Sequence, residues 1–276
     1  MESLTELPVA LPGLRVARGT TTSLHTGIKE HWGIGRIDAG DTEWWGGGRI
    51  WRSVPGCILL KQPGDVVRHV SHRGPTGFTV VLLPPEEVAR VPREAAAEVR
   101  PQFEPGDPRA TPFHRLLEAA CSGEDRFTLE VALAEALQAW GATRDVRSDT
   151  SRPVRRARTF LLERLEESIS LEELATHVGL DKFHLCRAFR AQVGMPPHAY
   201  LTHLRVARAK ALLQRGVRPS ELAPLVGFYD QAQLTRHFRR LVGTTPARYK
   251  QSPNDPRFRG VLRQEPRPEL RGPPPE

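Results

Sequence analysis

Between residues 170 and 250 the apolar positions recur at helical spacing. Leu185, Phe189 and Val193 stand at i, i+4 and i+8, as do Leu234, Phe238 and Val242, which gives one buried stripe per helix. The punctuation around the stripes also repeats. Ser170 is placed to N-cap a short helix over Leu171–Val178, with Glu173 in capping-box position, Gly179 at the turn and Asp181 capping the next helix. Further on, Ser220 and Glu221 open a helix, Gly227 ends it and Asp230 opens another. The letters repeat with the grammar. Glu173-Leu174-Ala175 and Val178-Gly179 return 48 residues later, and after one inserted residue Leu185, Arg187, Phe189, Arg190, Val193, Gly194, Pro197 and Tyr200 return 49 later. The pattern predicts a helix-turn-helix unit used twice. Between the copies, Tyr200, Leu201, Leu204, Ala207, Ala211 and Leu212 predict a helix over His198–Gln214, roughly 24 Å long, with Arg205, Arg208 and Lys210 on its outer side.

The first half of the chain follows another period. Short β-type runs over Trp32–Ile37, Gly46–Trp51, Cys57–Leu60, Val66–Val70 and Phe78–Leu83 are separated by Asp-Ala-Gly-Asp, Val-Pro-Gly and Gln-Pro-Gly-Asp. Strands at this spacing predict an antiparallel β-barrel or a double-sheet jelly roll. Two helices are expected next, Pro112–Cys121 capped by Thr111 and Leu129–Trp140 capped by Thr128. The Leu133, Leu137 and Trp140 stripe of the second fits a dimer contact or packing on the barrel equally well. Gly141–Pro153 lacks apolar periodicity and reads as a linker, and the last 26 residues, with seven prolines, as a disordered tail. The expected organisation is therefore a sensor and dimerisation domain over 1–140, a linker over 141–152, an all-α domain over 153–250 and a tail over 251–276.

Charge separates the halves. Residues 1–150 hold 17 basic against 20 acidic side chains, whereas residues 151–250 hold 18 against 8. A basic block of this size beside a slightly acidic one fits a polyanion partner. The basic residues are 35 Arg and only 5 Lys, a bias of composition as much as of function. No apolar run reaches the roughly 18 residues of a membrane helix, and the N-terminal segment lacks the basic start of a signal peptide, so the expected location is the cytoplasm, on the nucleoid. Cys57, Cys121 and Cys186 are far apart, without metal or disulfide spacing.

The outward faces of the two second helices carry Lys182, Phe183, Cys186, Arg187 and Arg190 in one copy and Gln231, Gln233, Arg236, Arg239 and Arg240 in the other. A helix braced by a shorter one and presenting Arg and Gln outward is the geometry that enters a DNA major groove, where Gln pairs with adenine and Arg with guanine. Residues 153–250 resemble the DNA-binding domain of AraC/XylS-type transcription regulators, above all in LAPLVGFYDQAQLTRHFRRLVGTTPARYK. The resemblance implies base reading by Phe183, Cys186 and Arg187 in the first unit and by Gln231, Ala232, Gln233 and Arg236 in the second. Phe183 and Cys186 stand where the family often has Trp and Gln, which leaves hydrogen-bonded readout there to Arg187.

The run VPGCILLKQPGDVVRHV resembles the turn of cupin-type barrels, which implies a cupin-like N-terminal sensor domain for a small-molecule effector. Such pockets have aromatic walls with a few polar groups, and His31, Trp45, Trp51 and His69 are the candidate lining residues, with Trp32 and Trp44 as further aromatics; each fits a core as well. No H-x-H pair is present, and His69 and His72 would point to opposite faces of a strand, so neither metal, cofactor nor catalysis is expected. The expected partners are double-stranded promoter DNA, a small-molecule effector, RNA polymerase and a second copy in a homodimer, with activation as the output and no membrane. The alternatives are a metal-dependent cupin enzyme fused to a DNA-binding domain and a non-specific architectural DNA binder.

Overall fold

The computed structural model describes residues 3–89, 100–142 and 151–251, which form an antiparallel sheet domain followed by a helical one. The strands are β1 Ser3–Leu7, β2 Arg15–Thr21, β3 Thr26–Ile28, β4 Gly33–Gly46, β5 Arg49–Ser53, β6 Ile58–Lys61, β7 Val66–Leu82 and β8 Gln102–Phe103. They pair in the order β1-β2-β7-β4-β6-β8, with β3 also on β7 and β5 also on β4.

Several strands differ from the sequence expectation. Asp38-Ala39-Gly40-Asp41 is no turn: β4 runs straight through it, and register shifts at Ile37/Ala39 and Ala39/Asp41 absorb the bend as bulges. Gly46–Trp51 is no strand but the end of β4, a hairpin loop and the start of β5. Gly46 pairs with Arg49, and Gly47 and Gly48 between them have φ of 60° and 89°, the two positive angles of a tight I′ loop. Val66–Val70 and Phe78–Leu83 are the two ends of one 17-residue strand, β7. The sheet also curls back on itself. Lys61 pairs with Gly33 near the start of β4, yet its Nζ lies 3.1 Å from the ring centroid of Trp44 near the other end. A straight strand would separate those positions by roughly 36 Å.

After α1 (Pro85–Ala89) come α2 (Thr111–Ser122) and α3 (Arg126–Ala142). Asp125, not Thr128, accepts the first-turn N–H of α3, from Thr128 at 3.0 Å, and Thr111 lies within α2 behind Ala110. Phe113, Leu116, Leu117, Leu133, Leu137 and Trp140 pack on Val16, Ile34, Ile58, Leu60 and Val81 of the sheet, so the apolar stripe of α3 faces the barrel.

The helical domain comprises α4 Arg152–Glu163, α5 Leu171–Val178, α6 Lys182–Val193, α7 Pro197–Gln214, α8 Leu222–Leu225, α9 Gln231–Val242 and α10 Pro246–Gln251. α4 starts within the stretch expected as linker, because Val154, Ala157, Phe160 and Leu161 share one face and fill the core of the first unit. Gly141 and Ala142 of the expected linker end α3, and Gln251 of the expected tail ends α10; positions 143–150 and 252–276 lie outside the described residues. The two units have separate cores, one around Phe189 and Tyr200 and one around Phe238 and Tyr249. Ile28, Trp45 and Val66 of the sheet domain belong to the first of these, so that domain is docked on the first unit.

Candidate functional site

The first unit is set by its caps. Ser170 Oγ accepts the Glu173 N–H at 3.0 Å, and Asp181 accepts from Phe183 and His184 at 3.0 and 2.9 Å. These fix where α6 begins and hence which residues face out. Leu185, Phe189 and Val193 are buried. Phe183 is 78% exposed, Arg187 is exposed, and Cys186 is half-buried between faces. Lys182 leans back to Glu172 at 2.6 Å, which removes it from the outer face.

The second unit repeats this with one change. Its first helix opens as a 3-10 turn over Pro219–Glu221, so Ser220 sits inside the turn and does not cap it. Asp230 caps α9 by accepting the Gln233 N–H at 2.6 Å. Gln231, Ala232 and Arg236 are exposed, whereas the Gln233 side chain is half-buried and its Oε1 accepts the Tyr229 N–H at 3.0 Å. Gln233 therefore closes the helix start, leaving only its amide NH₂ to face outward. Arg187 and Arg236 hold equivalent places in the repeat, and neither has an intramolecular hydrogen bond or ion pair among the described residues. Tyr229, beside the second cap, is 92% exposed. An aromatic ring left in water at the start of α9 is a candidate contact that periodicity does not flag, because it lies in the turn.

The spacer α7 has 18 residues, about 27 Å at 1.5 Å per residue. Its outer side is not the expected one. Lys210 is 8% exposed and its Nζ bonds both Glu30 oxygens of the sheet domain at 2.7 and 2.8 Å. Arg205 donates to the Leu165 and Glu167 carbonyls at 2.8 and 2.6 Å. Only Arg208 is exposed. The same face of the first unit meets the β6–β7 turn, where Tyr200 Oη donates to the Gly64 carbonyl at 3.1 Å and Arg158 reaches Gly64 and Asp65 at 3.3 and 3.5 Å.

In the sheet domain the expected pocket residues separate. Trp51 stacks on Trp44 at 5.8 Å, the Arg49 guanidinium lies 3.6 Å from the Trp51 ring centroid, and Trp51 borders an open groove of about 490 Å³. His69 stacks on His25 at 4.3 Å, and its strand position is paired with that of Trp44. Trp45 is placed away from them: it lies in the interdomain core, because adjacent residues of a strand point to opposite faces. His31 is exposed ahead of β4. Among the described residues no His/Cys/Asp/Glu cluster of metal-site size occurs, and no helix is long and apolar enough to cross a membrane.

A helix-turn-helix domain family model matches residues 174–252, and an AraC-like ligand binding domain model matches residues 15–150. The uncharacterized HTH-type transcriptional regulator YbfI of Bacillus subtilis is 40% identical over 75 residues, 27% of either chain. The HTH-type transcriptional activator AarP of Providencia stuartii is 32% identical over 104 residues, which are 37% of this chain and 76% of AarP. The chain belongs to the AraC family of transcription regulators. It spans 27% and 37% of the length of the first two curated relatives it matches. ToxT of Vibrio cholerae, 8% identical at a TM-score of 0.50, covers 90% of this chain and 99% of its own, and shares the fold.

In this AraC-family regulator each domain contains an acid-sensitive histidine. Burial, with the neighbouring His25 and Lys29, lowers the pKa of His69 to about 2, and burial with the Arg240 charge lowers that of His203 on α7 to about 4. Nδ1 of each is buried without a partner. Both are held neutral in the fold, whereas an unfolded histidine titrates near 6.5. Their contribution is complete above that pH and is lost as pH falls through the window down to the folded value. Urea midpoints should thus fall between pH 6.5 and 4, and His203→Gln should flatten part of that slope, by up to about 3 kcal/mol at its lower end. An unchanged slope in His203→Gln would show that the residue takes up its proton without opening the fold.

Proposed function

We propose that this chain is a sequence-specific DNA reader whose two units enter neighbouring major grooves on one face of the duplex, with Arg187 and Arg236 as the principal base-reading side chains. The observation that carries the reading is the matched pair: two Asp-capped helices with an unpartnered arginine at the same repeat position, joined by a helix of about 27 Å. With the breadth of the units at its ends, that spacer suits grooves roughly 34 Å apart. Phe183 and Ala232 offer apolar contact to thymine methyls, and Cys186, Gln231 and the free NH₂ of Gln233 complete the surface.

The sheet domain, which ends with α3, controls the reader, which opens with α4, through the contact on the first unit. An effector that favours one docking of Glu30, Trp45 and Gly64 over another shifts α7 and the end of α6, which is the differential binding that regulation requires. A homodimer and contact with RNA polymerase complete the activator reading. Phe127 and Val131, 74% and 44% exposed on α3, are apolar surface available for the former.

Footprinting and titration on the protein's own promoter, against a scrambled duplex at the same salt, test the reading. Arg236→Ala should weaken cognate binding by about 1–3 kcal/mol and relax preference at one base position. Equal weakening on both duplexes would reduce Arg236 to a phosphate contact.

A further inference from the structure

We propose that the two helix-turn-helix units are locked into one rigid body by a second brace beside α7, and that Arg205 is the positioning residue that sets which spacing of half-sites the chain accepts. The proposal rests on the two-groove reading and adds what fixes the distance and twist between the reading helices.

α7 changes cores at Arg205. Tyr200, Leu201 and Leu204 before it pack in the first unit, and Val206, Ala209 and Leu213 after it pack in the second. A helix with one unit on each half leaves each unit able to rock on its own contact. The Arg205 side chain spans the gap. Its Nε and Nη2 donate to the Leu165 and Glu167 carbonyls at 2.8 and 2.6 Å, in the loop between α4 and α5, and its guanidinium carbon lies 5.8 Å from the Phe228 ring centroid. Leu165 packs against the first core, whereas Phe228 is buried in the second. The gripped loop is itself held, since Arg164 donates to Glu167 at 2.8 Å and to Glu173 of α5 at 2.7 Å. Arginine suits the task, because its planar fork donates in fixed directions where an ammonium is a point charge.

The backbone of the second unit reaches the same loop. A Cβ built on Gly227 would lie 2.6 Å from the Leu165 carbonyl oxygen, 2.9 Å from that of Glu166 and 2.9 Å from Arg205 Nη2. Gly227 and Gly179 hold the same place in the repeat, with φ of 78° and 73°, so the turn asks both for the left-handed conformation. Around Gly179, however, a Cβ would meet nothing within 4 Å. The close approach at Gly227 therefore belongs to the contact between the units and not to the turn. Each base pair inserted between two half-sites turns the second groove by roughly 35° about the duplex axis. A reader hinged on α7 alone follows that rotation, whereas a braced one loses the contacts of one helix.

The test is binding of the full chain, at low salt, to duplexes carrying its footprinted promoter site with none, one or two base pairs inserted between the two protected contacts, and to duplexes that keep only one contact. The parent should lose roughly 30-fold or more on insertion of two pairs. Arg205→Gln should bind the unaltered site less tightly, lose only a small part of that factor on insertion, and match the parent on the single-contact duplexes, where each unit acts alone. Arg205→Lys should lie between the two. Gly227→Ala should relax the spacing in the same way, and Gly179→Ala, with the same backbone strain, should keep the parent's penalty. An Arg205→Gln loss equal on every duplex would make the residue a phosphate contact or a support of one unit's fold and overturn the brace. So would an insertion penalty that Arg205→Gln and Gly227→Ala leave unchanged. A parent indifferent both to insertion and to loss of one contact would instead overturn the two-groove reading, and the brace with it.

Discussion

Gly194→Ala is expected to separate the ligand-binding domain from the first reading unit. Gly194 ends α6 at φ 90°, and a Cβ built there would meet Trp45 ring atoms at 2.4, 2.8 and 3.1 Å. The left-handed backbone alone costs an alanine about 1–2 kcal/mol. The overlap adds more, because the indole is held in the interdomain core beside Ile28 and Val66 and cannot swing clear without opening it. The separation is measurable as faster proteolysis between the domains and as DNA binding that no longer responds to effector. Trp45→Ala in the same chain should restore the overlap part of the loss and leave the backbone part. If Trp45→Ala restored nothing, α6 would be failing by itself and the docking would not be the cause.

Phe238→Ala is the second large effect. The ring is fully buried and meets Tyr249 edge-on at 5.6 Å and 71°. Removing such a side chain costs about 3–5 kcal/mol, by lost transfer and by the cavity left. The core of the second unit is small, and Val206, Ala209 and Leu213 of α7 meet Phe238 through it. The second unit should melt first, and the promoter footprint should shorten to the contact made by the first. Calorimetry would show this as a split or early transition. A loss below about 1 kcal/mol would mean that the core collapses around the gap.

The same comparison shows how far local pattern reaches. Phe189 and Tyr200 meet at 5.5 Å and 69° in the first unit, almost as Phe238 and Tyr249 do in the second. The Asp caps and the arginines on the outer faces follow from spacing alone, because a helix couples residues three and four apart whatever surrounds it; each ring pair joins two helices and recurs because the whole unit does. The tyrosine hydroxyls already differ: Tyr200 donates to Gly64 of the other domain, and Tyr249 accepts from Gln214 at 3.1 Å. No period in the chain carries that difference.

The interior of the sheet domain was less legible. Trp51 and His69 were within reach of composition, but the exchange of Trp45 for Trp44 turns on strand register, which the bulges of β4 reset. No spacing along the chain places Lys61 beside Trp44, since that contact exists only because the sheet curls.

Sequence by itself determined the repeated unit, its Ser170, Asp181 and Asp230 caps, the faces its helices leave exposed and the family, since each is written in residues close along the chain. Tertiary structure alone decided what α7 buries. Tyr200, Leu201 and Leu204 serve one core and Val206, Ala209 and Leu213 another, while Lys210, which reads as solvated, is covered by Glu30 and its domain. A helix with a different neighbour on each half has no single apolar stripe, so its orientation is fixed by partners distant in sequence.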